Sequence, residues 1–213
     1  MDHRGLRLDG VRIALGPRVL IDISRAVAPG EVLTIMGPSG SGKSTLLAYV
    51  GGFLDRAFTA SGRVFAGDLD LTALPPQERR VGILFQDPLL FPHMSVAGNL
   101  LFAIPQSLKG RAARESLAEE ALAGVDLAGM AARDPDTLSG GQKARVALAR
   151  VLVSGPRALL LDEPFSKLDA DLRLQMRRLV FSKARDSGLP VILVTHDQAD
   201  AEAAGGAIVR IGG

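Results

Sequence analysis

Eight consecutive residues, Gly37-Pro38-Ser39-Gly40-Ser41-Gly42-Lys43-Ser44, carry the pattern G-x-x-x-x-G-K-[ST]. Glycines at these positions let the backbone bend so that successive N–H groups converge on phosphate oxygens. A helix beginning at the end of the loop adds its positive terminus, and Lys43 adds an ammonium. Ser44 offers a hydroxyl to Mg²⁺, which takes oxygen ligands and also holds substrate phosphates. The apolar run Val32–Met36 before the motif and Thr45-Leu46-Leu47 after it supply the strand and helix that this chemistry needs. On this motif alone the chain is a kinase, a GTPase or another P-loop NTPase. A second glycine-rich helix start, Leu138-Ser139-Gly140-Gly141-Gln142, stands far from the first and opens an alanine-rich helical segment. One nucleotide seldom needs two cradles on one chain. The second makes physical sense if it caps the γ-phosphate of a nucleotide held by another subunit, with a ligand-free helix cap as the bland alternative.

The elements that must position these groups follow from hydrophobic patterning. Four runs, Val32–Met36, Val81–Phe85, Ala158–Leu161 and Val191–Val194, are nearly continuous in apolar residues, as expected of parallel strands covered on both faces. Residues 1–30 read as short strands, with Leu6, Leu8, Val11 and Ile13 set among polar neighbours and a turn at Gly16-Pro17. Helical spacing marks 169–187, with Leu172, Met176, Leu179 and Val180 on one face and Gly188 as the stop, and 111–125, with Leu117, Ala121, Leu122 and Val125. The basic residues Arg177, Arg178, Lys183 and Arg185 read as a solvated face. Leu74-Pro75-Pro76 reads as a surface turn. The division expected is a core lobe over about 1–87 and 154–213, interrupted by a helical lobe over about 88–153.

Composition narrows the class. A chain of 213 residues with 47% hydrophobic and 23% charged residues is an ordinary globular domain. It is large enough to bury its own core without a staple. No cysteine is present, so no disulfide or thiolate metal site is available, which fits a reducing cytoplasm. The formal charge of +2 demands no nucleic-acid partner. No run approaches the ~18 apolar residues of a membrane span. The polar start Met1–Gly5 gives no expectation of a signal core.

With Gly37–Ser44 as the phosphate loop and Leu138–Gln142 as the signature, nearly the whole chain resembles the nucleotide-binding domain of ABC transporters, in particular importer-like bacterial ATPases of the thiamine-uptake type. The resemblance implies an α/β fold of the RecA-like P-loop kind: a mainly parallel sheet core, an N-terminal antiparallel β subdomain and an inserted α-helical subdomain. It implies an ATPase using ATP and Mg²⁺. Leu159-Leu160-Leu161-Asp162-Glu163-Pro164 then looks like the acidic strand end, with Asp162 holding Mg²⁺ and Glu163 polarising the attacking water. Gln86 resembles the glutamine that joins the metal sphere to a permease-contacting hinge. His196 resembles the switch histidine at the γ-phosphate. Asp169 occupies the dimer-facing loop and equally suits the N-cap of the helix it opens. The implied partners are a second copy of the chain and integral membrane permease subunits, with a substrate-binding protein also admitted; the implied location is the cytoplasmic face of the membrane. The apolar stretch Pro88–Val96 suits a groove for a permease helix or ordinary core.

Two residues depart from the family pattern. Leu15 stands where an aromatic usually stacks on adenine, so weaker or less selective base binding is expected. Lys167 stands where many relatives carry a small or neutral residue, and the sequence offers no account of it. Competing readings are an ABC ATPase outside transport, which usually needs coiled-coil insertions or two cassettes in one chain, and a small-molecule kinase, which would not need Leu138–Gln142.

Overall fold

The computed structural model describes residues 5–212, so Met1–Arg4, on which the signal-sequence reading mainly falls, lie outside it. The chain divides into two compact units. One contains residues up to Val81, Arg157–Glu163 and residues from Phe181 onward; the other contains Gly82–Pro156 and Pro164–Val180.

In the first unit, strands β1 (Leu6–Leu15), β2 (Arg18–Val27), β4 (Phe58–Ala66) and β5 (Leu69–Asp70) form an antiparallel sheet in the order β2-β1-β4-β5. Leu6 and Leu8 are buried, and so are Val11 and Ile13. A register shift between Leu8 and Val11 returns the apolar set to the core face after Asp9-Gly10. A second shift pairs Ile13 with Ile21 but Ala14 with Val19, leaving Leu20 as the extra residue of a bulge. Strands β3 (Val32–Met36), β7 (Ala158–Asp162), β8 (Val191–Thr195) and β9 (Ala207–Arg210) run parallel in the order β7-β8-β3-β9. Every residue of β3 and β8 is buried, which is why these runs show no alternation. Helix α1 (Lys43–Gly51) packs on β7 and β8, and α7 (Gln198–Ala204) on β8 and β3.

The turn expected at Leu74-Pro75-Pro76 is also the entry to a four-residue helix, α2 (Pro76–Arg79), with proline in its first turn, where the missing N–H has no partner to lose. The guanidinium of Arg79 reaches the carbonyls of Tyr49 and Val50 at the end of α1 and those of Leu74 and Thr72. Burial lowers its pKa, with Tyr49 and Asp70 opposing.

The second unit follows β6 (Val81–Leu84) and packs α3 (Val96–Ala103), α4 (Arg111–Ala123) and α5 (Gly140–Val153) against one another. Ala118, Leu122 and Val125 form the buried face of α4 and its exit. Helix α6 (Ala170–Asp186) begins in this unit and buries Met176 and Val180, residues of the predicted face.

Candidate functional site

The loop after β3 is held by sterics as much as by hydrogen bonds. Gly42 has φ 97°, and a Cβ there would lie 2.9 Å from the Cβ of the bulged Leu20, so the turn into α1 admits only glycine. Lys43, a buried residue, begins α1, and its Nζ donates to the carbonyls of Gly37 at 2.7 Å and Pro38 at 2.9 Å. Pro38, Ser39 and Gly40 are exposed, whereas Ser41 is buried. Ser44 Oγ donates to Asp162 Oδ1 at 2.9 Å, joining the start of α1 to the end of β7. Burial raises the Asp162 pKa; the Ser44 hydrogen bond opposes this, neighbouring Glu163 adds to it and Lys43 opposes it.

Beside Asp162, the chain leaves β7 through a strained residue. Glu163 has φ 47°, a conformation that costs a non-glycine residue of order 1 kcal/mol or more and persists only when its surroundings impose it. Here the Glu163 N–H donates to Val194 O at 2.9 Å, prolonging the β7·β8 ladder by one bond. Its Oε1 lies 3.1 Å from His196 Nδ1, just beyond the end of β8. The His196 side chain is 59% exposed and that of Glu163 23%. Lys43, Ser44, Asp162, Glu163 and His196 are thus linked to the ends of adjacent parallel strands, where ligands bind in such sheets.

Apart from Leu15, the other sequence-predicted residues lie in the second unit. Ser139 is the N-cap of α5: its Oγ accepts from Gln142 N at 3.2 Å, and Gln142 Oε1 accepts from Ser139 N at 2.9 Å, a complete capping box. Ser139 and Gly140 are exposed. A Cβ on Gly141 would lie 2.6 Å from Leu172 Cδ2. Asp169 Oδ1 accepts from Leu172 N at 3.0 Å, the cap bond expected of it. Gln86 is exposed, and the next residue, Asp87, pairs with Lys167 at 2.5 Å, which gives Lys167 a partner.

Sequence reasoning missed the groups that fix the 88–95 segment. Asn99 holds the N–H and carbonyl of Phe91 and the carbonyls of Met94 and Ser95. Arg150 of α5 donates to the carbonyls of Pro88 and Leu89 and lies over the Phe91 ring. Leu89, in this segment, and Phe102 of α3 are more than half exposed, whereas Phe91 and Met94 are part-buried. In the first unit, Leu15 closes β1 nearly half exposed, opposite Arg18 and Phe58.

A phosphate loop at one strand end and consecutive acids at another define a P-loop nucleotide hydrolase. The profile of the ABC transporter family matches residues 20–166. The chain is 48% identical over 186 residues to the uncharacterized ABC transporter ATP-binding protein YnjD of Escherichia coli K12, covering 87% of this chain and 85% of that one. It is 43% identical to the putative 2-aminoethylphosphonate import ATP-binding protein PhnT of Salmonella typhimurium LT2 and 44% identical to the Fe(3+) ions import ATP-binding protein FbpC of Agrobacterium fabrum C58. The aligned regions cover 92% and 94% of this chain but 53% and 56% of those proteins, so it spans about half the length of these import ATPases. A solved dimer of the ATP-binding cassette MJ0796, in a post-hydrolysis state bound to ADP and Pi, superposes with a TM-score of 0.77 at 29% identity, covering 97% of this chain and 94% of that one. The chain belongs to the ABC transporter family, as an ATP-binding and ATP-hydrolysing domain.

Proposed function

We propose that this ATPase drives solute import through a separate membrane permease, closing as a two-fold dimer around two ATP molecules at the cytoplasmic face of the membrane. The observation that carries the catalytic part is the strained Glu163, fixed at the end of β7 with its carboxylate on His196 and beside the Ser44–Asp162 pair.

The donor set fits Mg²⁺: Ser44 Oγ and Asp162 Oδ1 are hard oxygens within hydrogen-bond distance of each other, and the family resemblance adds the amide oxygen of Gln86. Bound Mg²⁺ neutralises charge on the transferring phosphoryl group. Gly37–Thr45 receive the phosphates through backbone N–H groups. Lys43 then exchanges two neutral carbonyl acceptors for charged phosphate oxygens, a stronger class of hydrogen bond. Glu163 orients and polarises the attacking water, and His196 holds the Glu163 carboxylate and meets the γ-phosphate.

The signature completes the site in the partner protomer. The start of α5 leaves the Gly140 and Gly141 N–H groups without intrahelical acceptors. Ser139 Oγ, although it accepts from Gln142, keeps its own proton to donate. Phosphate contacts made only in the closed dimer make ATP the closing ligand. Asp169 faces the dimer partner in this reading, and the exposed Leu89 and Phe102 offer a membrane protein an apolar contact. The names of the relatives and the dimeric ATP-binding cassette support the import and dimer readings. In Glu163→Gln, ATP still binds, turnover falls by ~10²-fold or more, and light scattering with Mg-ATP reads twice the protomer mass. A monomer under those conditions overturns the dimer, and undiminished turnover removes Glu163 from catalysis.

A further inference from the structure

His196 stands between two fixed points. On its N-terminal side, Thr195 closes β8, with its backbone in register with Met36 of β3. On its C-terminal side, Asp197 caps α7, its Oδ1 accepting from the N–H groups of Ala199 and Asp200. A single hydroxyl joins the two points: Thr195 Oγ1 accepts from the Asp197 N–H at 3.0 Å and donates to Asp200 Oδ2 at 2.9 Å. Thr195 and Asp200 are both buried, although Asp200 is a carboxylate in the first turn of a short surface helix. Burying such a group is costly unless it is hydrogen-bonded, so the network is held in one arrangement. The result is a closed ring over 195–200 in which His196 is the one residue between two anchored backbone positions, leaving its side-chain torsions as the main freedom. The ladder bond from Glu163 N to Val194 O fixes the other partner to the same strand end.

We propose that Thr195 and Asp200 are positioning residues for hydrolysis, acting through His196 by holding its backbone where Nδ1 reaches the Glu163 carboxylate. The inference rests on the catalytic reading of Glu163 and His196 given above. Neither residue touches nucleotide in this scheme, so their loss lowers kcat and leaves the KM for Mg-ATP unchanged. A displacement of about 1 Å at a catalytic group costs up to ~10²-fold in rate, and a loss of tenfold or more is expected for Thr195→Val, which keeps the shape and removes the hydroxyl. Thr195→Ser restores the hydroxyl and the rate. Asp200→Asn keeps an acceptor for it and loses less than Asp200→Ala.

The deciding experiment measures single-turnover hydrolysis by Thr195→Val in the wild-type and His196→Ala backgrounds, with Thr195→Ala as a second variant lacking the hydroxyl. The expected result is a tenfold or greater loss in the first background and less than a twofold further loss in the second, because the residue acts through a side chain already removed. An equal loss in both backgrounds, a rise in KM matching the fall in kcat, or no rescue by Thr195→Ser overturns the positioning role. If His196→Ala alone hydrolyses at the wild-type rate, the catalytic reading of His196 fails and this inference falls with it, an outcome distinct from the others.

Discussion

In the first unit the groups read as catalytic hang from strand ends whose flanks are closed: β3 and β8 are buried throughout, Ser44 is bonded to Asp162, and Glu163 continues a ladder. In the second unit Gln86 and Asp169 lie on segments held differently. There, Lys167 and Asp87 form an ion pair exposed on both sides, Arg150 grips carbonyls of Pro88 and Leu89, and an apolar cavity of about 200 Å³ lies among Leu84, Phe85, Ala147, Phe165, Met176 and Val180. An ion pair exposed on both sides contributes little, so the Lys167–Asp87 link restrains the segments it joins only weakly. The contrast is between groups fixed at the ends of buried strands and groups on segments held by side-chain contacts.

The sharpest way to break this contrast is at Asp162. Burial raises its pKa from the ordinary 3.8, so folding favours the protonated form, and its contribution to stability declines as pH rises from 3.8 through the raised value. The charged form of the carboxylate is therefore kept for function at some expense of stability. Asp162→Asn is expected to lower Mg-ATP turnover by ~10²-fold or more while raising the nucleotide-free Tm slightly, by less than ~4 °C once solvent screening of this part-exposed group is allowed for. A fall in Tm shows that the strand end needs the charge for folding, and the contrast is lost.

A smaller effect tests the second unit. Arg150→Ala leaves the carbonyls of Pro88 and Leu89 without their side-chain donor and the Asn99 amide oxygen with the Phe91 N–H in place of two donors, at a cost of about 1–3 kcal/mol. For a domain of this size that lowers Tm by ~2–10 °C, whereas ATP affinity measured by titration stays within twofold. Arg150→Lys does not restore it, because an ammonium lacks the planar fork. An affinity loss larger than the stability loss shows that nucleotide binding depends on the Arg150 contacts, and the contrast is lost.

The smallest effect belongs to Lys167 and Asp87. A double-mutant cycle in denaturant is expected to give a coupling of ~1 kcal/mol or less, vanishing in 1 M salt. A larger, salt-resistant coupling makes this link as firm as the strand ends.

The same contrast explains what the sequence reveals. Gly42, Lys43 and Ser44 are legible because phosphate chemistry demands fixed residue types at fixed short spacing, and Ala158–Leu161 because a doubly covered strand is apolar throughout. Asp200 is not legible: five residues beyond Thr195, in the first turn of a helix, an acid reads as ordinary compensation of the helix dipole, and nothing local marks its burial. The Lys167–Asp87 pair spans 80 positions and Arg150–Asn99 spans 51, so neither has a periodic signature. Leu89 is exposed although apolar, on a backbone whose polar groups Arg150 and Asn99 hold, and residue type alone does not encode this.

The arginines have a consequence for the conditions in which this ATPase keeps its shape. Arg79 and Arg114 each draw together four main-chain carbonyls, and Arg157 clasps those of Glu78 and Arg79. In a sequence without cysteine these forks are non-covalent staples across loops that lack regular ladders. Guanidinium neither oxidises like a thiol nor gives up its proton in the physiological range, so shifts in redox state or acidity leave the loops fastened.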